Sequence, residues 1–243
     1  MATEGSPNGR ELRSRVVLVG ILHDVPSFRM TCTQITNHNL QISRFHMPTR
    51  SEIAATASTY LLLSRLWHRE VDEPLLTTMR TGELADALHE ISGPATFGGE
   101  SPSLDTIAVD FCHLFLGPVG HLPPYQSVWA QGTLQGVSAS AMRRWLNEYM
   151  PSYMPFGGLA ADHLAVQFDV MANILKTGLH GDSAPDQTAG IELAERFYHD
   201  HVAWSTKLIE MARERARTDF YRDVMTLTEA FLATQLDGLK SHN

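Results

Sequence analysis

Cysteine is scarce in this 243-residue chain: only Cys32 and Cys112, far apart and outside any Cys-x-x-Cys spacing. That excludes a disulfide-stapled scaffold and fits two reduced thiols in a reducing compartment. Long apolar runs are also missing. None approaches the ~18 residues that a membrane helix needs, so stable membrane insertion is not expected. The apolar run over residues 16–22 follows Arg10, Arg13 and Arg15 and soon meets His23, Asp24 and Pro26. It stands at the short limit for the core of a secretory signal, and no small-x-small cleavage site follows it. Positive charge is in deficit, with 19 Lys and Arg against 27 Asp and Glu and a net charge of −8. Nucleic-acid surfaces gather Lys and Arg, so that partner is not expected; a basic one is compatible. The phosphate loop, the Gly-x-Ser-x-Gly elbow, the Gly-x-Gly-x-x-Gly turn and His-Glu-x-x-His are all absent, which points away from an enzyme.

What is present is helical periodicity. Hydrophobic residues make up 43% of the chain, enough for a sizeable core without staples. Residues 1–50 differ from the rest. They hold no helix-length apolar period, only two short strand-like runs at residues 16–22 and 41–45, and read as a weakly structured N-terminal extension. From Ser51, a plausible N-cap, the pattern turns helical: Ile53, Ala57, Tyr60, Leu61, Ser64 and Trp67 share one face. Further helices are predicted from Glu73-Pro74, through Leu84, Leu88 and Ile91, over residues 104–116, from a Ser138 cap, after Asp162, from 187 to about 217, and from 219 to about 239. The expected fold is all-α, a globular bundle of about eight to ten helices over residues 51–243.

One stretch interrupts this pattern. Ile107, Phe111, Leu114 and Phe115 keep helical spacing until Gly117-Pro118 stops it. Residues 121–129 then set two prolines, Leu122, Tyr125 and Trp129 into a short bend. A bend this apolar is either pinned onto the core or offers an apolar wall to a partner. Tyr125, Val128 and Trp129 are compatible with both roles. Asp162-His163 likewise reads two ways. Asp162 is suited to cap the following helix, and equally suited to meet a guanidinium. Twelve histidines raise the question of a metal. His199 and His201 diverge on a helix, His199-Asp200-His201 reads as an exposed face, and no spacing offers three converging ligands, so no metal or other cofactor is expected.

The blocks Asp110-Phe-Cys-His-Leu-Phe-Leu-Gly-Pro118, Leu122-Pro-Pro-Tyr-Gln-Ser-Val-Trp129, Asp162-His163-Leu164 and Asp219-Phe220-Tyr221-Arg222 occur in this order. Together they resemble the TorD/DmsD family of cytoplasmic chaperones for molybdenum-cofactor reductases, also termed redox enzyme maturation proteins. Tyr125 stands where many of that family carry tryptophan, and His113 where arginine is common. The resemblance implies a cytoplasmic chaperone of TorD-like fold. It would bind the twin-arginine signal peptide of an apo-molybdoenzyme catalytic subunit of the DMSO or TMAO reductase type, assist cofactor insertion and delay export. It implies Asp162 and His163 for polar recognition, and Phe115, Leu122, Pro124, Tyr125 and Trp129 for the apolar wall. Competing readings are an assembly factor for a nitrate-reductase-type enzyme without an export leader, a metal-dependent helical hydrolase, and a nucleotide-responsive chaperone. Both a monomer and a homodimer fit the sequence.

Overall fold

The computed structural model describes residues 49–82, 84–85, 88, 97, 102–180 and 184–240; these are all-α, with no strand among them. The expected extension over residues 1–50, with its two strand-like runs, lies outside the described residues but for its last two, as does Ile91. Helix α1 (Arg50–His68) begins one residue before Ser51, because Thr49 is the better cap. The Thr49 hydroxyl accepts from the Glu52 N–H at 3.2 Å, and the Glu52 carboxylate accepts from the Thr49 N–H at 2.7 Å. This reciprocal pair satisfies two donors that the first turn leaves open. Helix α2 (Glu73–Arg80) is capped by Asp72, with Pro74 in its first turn.

Helix α3 (Leu104–Phe111) does not run on to Leu116 as an α-helix; its last stretch widens into a π-turn, Cys112–Leu116. Then come the bend, α4 (Gln126–Gln131) and α5 (Val137–Tyr149). Gly132, at φ +73°, closes α4 in the left-handed conformation glycine tolerates. Gly136, not Ser138, precedes α5; Ser138 accepts from the Gln131 side-chain amide at 2.8 Å. A 3₁₀ turn (Phe156–Gly158) leads towards α6 (Leu164–His180), followed by α7 (Ala184–His201). The single helix expected over residues 187–217 is broken into α7, a 3₁₀ turn (Ala203–Ser205) and α8 (Thr206–Arg215). Local donors end α7: the Trp204 indole N–H reaches the His201 carbonyl at 3.0 Å, and the Ser205 hydroxyl reaches the Val202 carbonyl at 2.8 Å. Helix α9 (Asp219–Lys240) completes the described chain.

Helix α6 is the axle. Leu164, Val166, Phe168, Val170 and Met171 point in different directions and are all buried, the mark of a helix surrounded by others. Its main partner is α1. Tyr60 of α1 lies between Phe168 of α6 and Phe231 of α9, with ring centroids at 5.8 and 4.8 Å. Each such side chain contributes roughly 1.5–3 kcal/mol on burial. Two polar side chains of α1 inside this core are paired, where an orphan would cost about 1–3 kcal/mol. Ser64 donates to the Ala165 carbonyl at 2.8 Å, and the Trp67 indole donates to Thr228 at 3.2 Å. Helices α6 and α7 cross closely at glycine: a Cβ on Gly190 would stand 2.9 Å from the Gly178 Cα. Asp110, buried at the end of α3, accepts from the Thr218 N–H at 2.8 Å and its hydroxyl at 2.6 Å. It thereby fixes the start of α9.

Candidate functional site

The bend is held at both ends by its own backbone. The Leu122 N–H donates to the Leu114 carbonyl at 2.7 Å, folding the chain back over the π-turn. Arg215 donates to the Gly120 carbonyl at 2.7 Å from the end of α8. Past the prolines, Tyr125 and His163 form one antiparallel β-bridge. This bridge sets the starts of α4 and α6 beside each other, and each helix supplies the other's cap. The Gln126 N–H donates to the Asp162 carbonyl at 3.0 Å, and the Ser127 N–H to the Asp162 carboxylate at 2.9 Å. In return the Leu164 N–H donates to the Pro124 carbonyl at 2.8 Å. Helix starts leave N–H groups open, and here two helices close them mutually across 35 residues of sequence.

Asp162 thus caps α4, not the helix that follows it. His163 caps α6 instead: its Nδ1 accepts from the Ala165 N–H at 3.1 Å. An imidazole nitrogen that accepts carries no proton, so the ring is neutral with its hydrogen on Nε2. Burial, with His68 adding a smaller effect, pushes the His163 pKa down to about 3. The Tyr125 ring meets His163 edge-on at 4.8 Å. Burial, followed by the Asp162 charge, raises the Tyr125 phenol.

The structure brings the seven sequence-predicted residues into one region but gives them different surroundings. Asp162, His163, Leu122, Phe115 and Pro124 are buried. Phe115 packs on Trp67, Phe111 and Tyr221, with centroids at 5.1, 5.2 and 6.4 Å, as part of the core. Tyr125 and Trp129 are half-buried and reach the surface. The Trp129 indole N–H is anchored on the Pro123 carbonyl at 2.8 Å.

Sequence reasoning missed the polar network behind this wall. The Gln126 side-chain oxygen accepts from Gln167 at 2.8 Å and lies 3.3 Å from His201 Nδ1; the Trp204 indole donates to Gln167 at 2.9 Å. His201 is therefore buried, not part of an exposed face; its pKa is lowered by burial, against the opposing pull of Asp200 and Asp162. The Gln126 amide also donates to the Asp200 carbonyl at 2.8 Å, which places Asp200 beside the bend. Asp200 is exposed, and its carboxylate pairs with no cation among the described residues. On the other flank, the His68 ring packs against Phe156 at 4.6 Å. Deep in the network, the second Asp162 carboxylate oxygen and the Ser127 hydroxyl are buried without a partner among the described residues. Among the described residues no three or more His, Cys, Asp or Glu converge to hold a metal, and no helix is long and apolar enough to cross a membrane.

The helical bundle thus carries an apolar bend whose two flanking helix starts cap each other. The family model described as "Nitrate reductase delta subunit" matches residues 72–210. Chaperone protein TorD of Aliivibrio fischeri is 28% identical over 169 residues, covering 67% of this chain and 78% of that one. Chaperone protein YcdY of Escherichia coli is 25% identical over 184 residues, covering 74% and 92%. Chaperone protein TorD of Ferrimonas balearica is 27% identical over 207 residues, covering 76% and 91%. The chain belongs to this family, the TorD family of molybdoenzyme maturation chaperones, and is a chaperone rather than a catalyst.

Proposed function

We propose that the protein binds the N-terminal twin-arginine leader of an apo-molybdoenzyme catalytic subunit in the cytoplasm, assists cofactor insertion and delays export until loading is complete. One observation carries this reading. The Tyr125–His163 bridge pins an apolar bend on which Tyr125 and Trp129 stay half-buried, and the backbone of the exposed Asp200 is hydrogen-bonded to Gln126 of the same bend. A leader offers the complement, arginine followed by apolar chain. Apolar segments gain roughly 25 cal/mol per Å² on burial, and a guanidinium adds a charge-assisted hydrogen bond. Asp162 and His163 serve the leader by fixing the bend, with Phe115, Leu122 and Pro124 as its backing. Tyr125, Trp129 and Asp200 make the contact.

The description of the matching family, nitrate reductase delta subunit, favours a second reading, an assembly factor for a nitrate-reductase-type enzyme, which would act without an export leader. Co-expression separates the two. The chain is expressed with a molybdoenzyme catalytic subunit carrying its leader, and with the same subunit lacking it. Retention only with the leader supports the proposal; equal retention of both forms supports the second reading.

A further inference from the structure

The apolar surface named so far is short. Tyr125 and Trp129 stand about one helical turn, or ~6 Å, apart along α4. The apolar run of a leader holds about ten residues. Such a run spans about 15 Å as a helix and about 33 Å when extended. Most of it therefore needs side chains beyond these two.

The contacts continue past His163. Ser64 of α1 donates to the Ala165 carbonyl at the start of α6, so His68, one turn further along the same face, stands beside His163. The His68 ring meets Phe156 at 4.6 Å, and a Cβ on Gly157 would stand 2.6 Å from its Nε2. On the other side of Met154, the Tyr153 hydroxyl donates to the Asp169 carboxylate of α6 at 2.7 Å. Tyr153 and Phe156 are thus both anchored, and Met154 between them is left 82% exposed. Helix α6 packs on both α1 and α7. His68, closing α1, and Asp200, near the end of α7, therefore approach its start from different helices. These contacts connect Asp200 through Tyr125, His163, His68 and Phe156 to Met154. A carboxylate stands at one end and an exposed apolar side chain at the other, the complement of a leader read from its arginines onward. The exposed apolar residues before the bend, Leu116 and Val119, are edged instead by Arg215, which donates to the Gly120 carbonyl. That cation has the same sign as the leader.

Resting on the leader-binding reading, we propose that the strap from Tyr153 to Phe156 is the far end of the leader site. The leader lies in one direction, with its arginines at Asp200, its apolar run across Tyr125, and the end of that run on Met154. Methionine is flexible and polarizable and fills irregular gaps. It suits a position that meets different apolar side chains from one leader to the next.

The test uses the full-length chain, Met154→Asp and Met154→Leu, with a fluorescein-labelled leader-type peptide titrated by anisotropy. The peptide has two adjacent arginines ahead of a ten-residue alanine–leucine run. Met154→Asp should weaken it about tenfold, because an apolar contact is lost, and Met154→Leu should bind as the intact chain does. Unchanged or tighter binding by Met154→Asp overturns the proposal and leaves the leader-binding function standing; tighter binding is the mark of arginines at the strap, the reverse direction. An equal loss in both variants overturns it as well. Two unlabelled versions of the peptide then carry one benzoylphenylalanine, either just ahead of the arginines or at the end of the apolar run, and are photo-crosslinked to the intact chain. Mass spectrometry should place the second on residues 151–158 and the first near Asp200. The opposite pattern, or crosslinks of the second to residues 116–119, overturns the direction. If the intact chain does not bind the peptide at all, the leader site itself falls, and this inference with it.

Discussion

Replacing His163 by asparagine tests whether the bend is built on a buried neutral ring. The imidazole Nδ1 accepts from the Ala165 N–H, and an asparagine oxygen at an N-cap position does the same without titrating. The cap survives and the titration is removed. The sign follows from the lowered folded pKa. Above about pH 6.5 the ring is neutral in folded and unfolded chains alike, and pH has no effect through this group. Below that, the unfolded chain takes up a proton that the folded chain refuses until about pH 3. Stability therefore falls as pH falls, by about 1.36 kcal/mol per unit. At pH 4.5 the wild type should have lost about 2.7 kcal/mol through His163 alone. His201, also shifted down by burial, is present in both chains and cancels in the comparison. Urea unfolding followed by tryptophan fluorescence at pH 7.5, 5.5 and 4.5 reads the difference. The gap between variant and wild type should shift in the variant's favour by about 2.7 kcal/mol between the extremes. Parallel profiles, differing by less than about 0.5 kcal/mol, would refute the buried neutral ring and with it this account of the cross-cap.

Other expectations follow from the same geometry. Asp110→Ala strips the acceptor from the Thr218 N–H and hydroxyl and should cost about 3 kcal/mol in urea unfolding, with Asp110→Asn recovering part of it. Gly190→Ala forces a methyl against Gly178 and should destabilise by about 1–3 kcal/mol, read as a lowered Tm. Asp200→Asn, at an exposed carboxylate with no ion-pair partner among the described residues, should leave Tm unchanged and weaken an arginine-bearing leader about threefold to tenfold at low salt. The loss should shrink at high salt, because exposed charges are screened there.

Much of the architecture was legible because burial imposes a period. The faces through Tyr60, Leu84, Phe111, Trp145, Phe168, Phe197 and Val224 all follow it, and all are buried. The bend was legible too, since prolines and aromatics in a loop contradict ordinary surface composition. What escaped was long-range pairing of polar groups. Asp162 looks like a local cap, yet its partner Ser127 is 35 residues away. His201 looks like one side of a solvated pair, but its contact with Gln126 crosses 75 residues and leaves no local trace. The break after His201 escaped because Trp204 and Ser205 satisfy carbonyls within a few residues, while the apolar spacing of Tyr198, Val202 and Leu208 continues past it.

The central claim is that the exposed part of the bend holds a cationic, apolar tail. Titration calorimetry of the full-length chain with a twin-arginine leader peptide, set against Trp129→Ala, tests it most directly. The Trp129 indole is half-buried and anchored on the Pro123 carbonyl. Saturable binding by the wild type, and a loss of about 1–3 kcal/mol in the variant with its far-ultraviolet circular dichroism unchanged, is the predicted result. Equal binding by both chains, or no heat with either, contradicts the account.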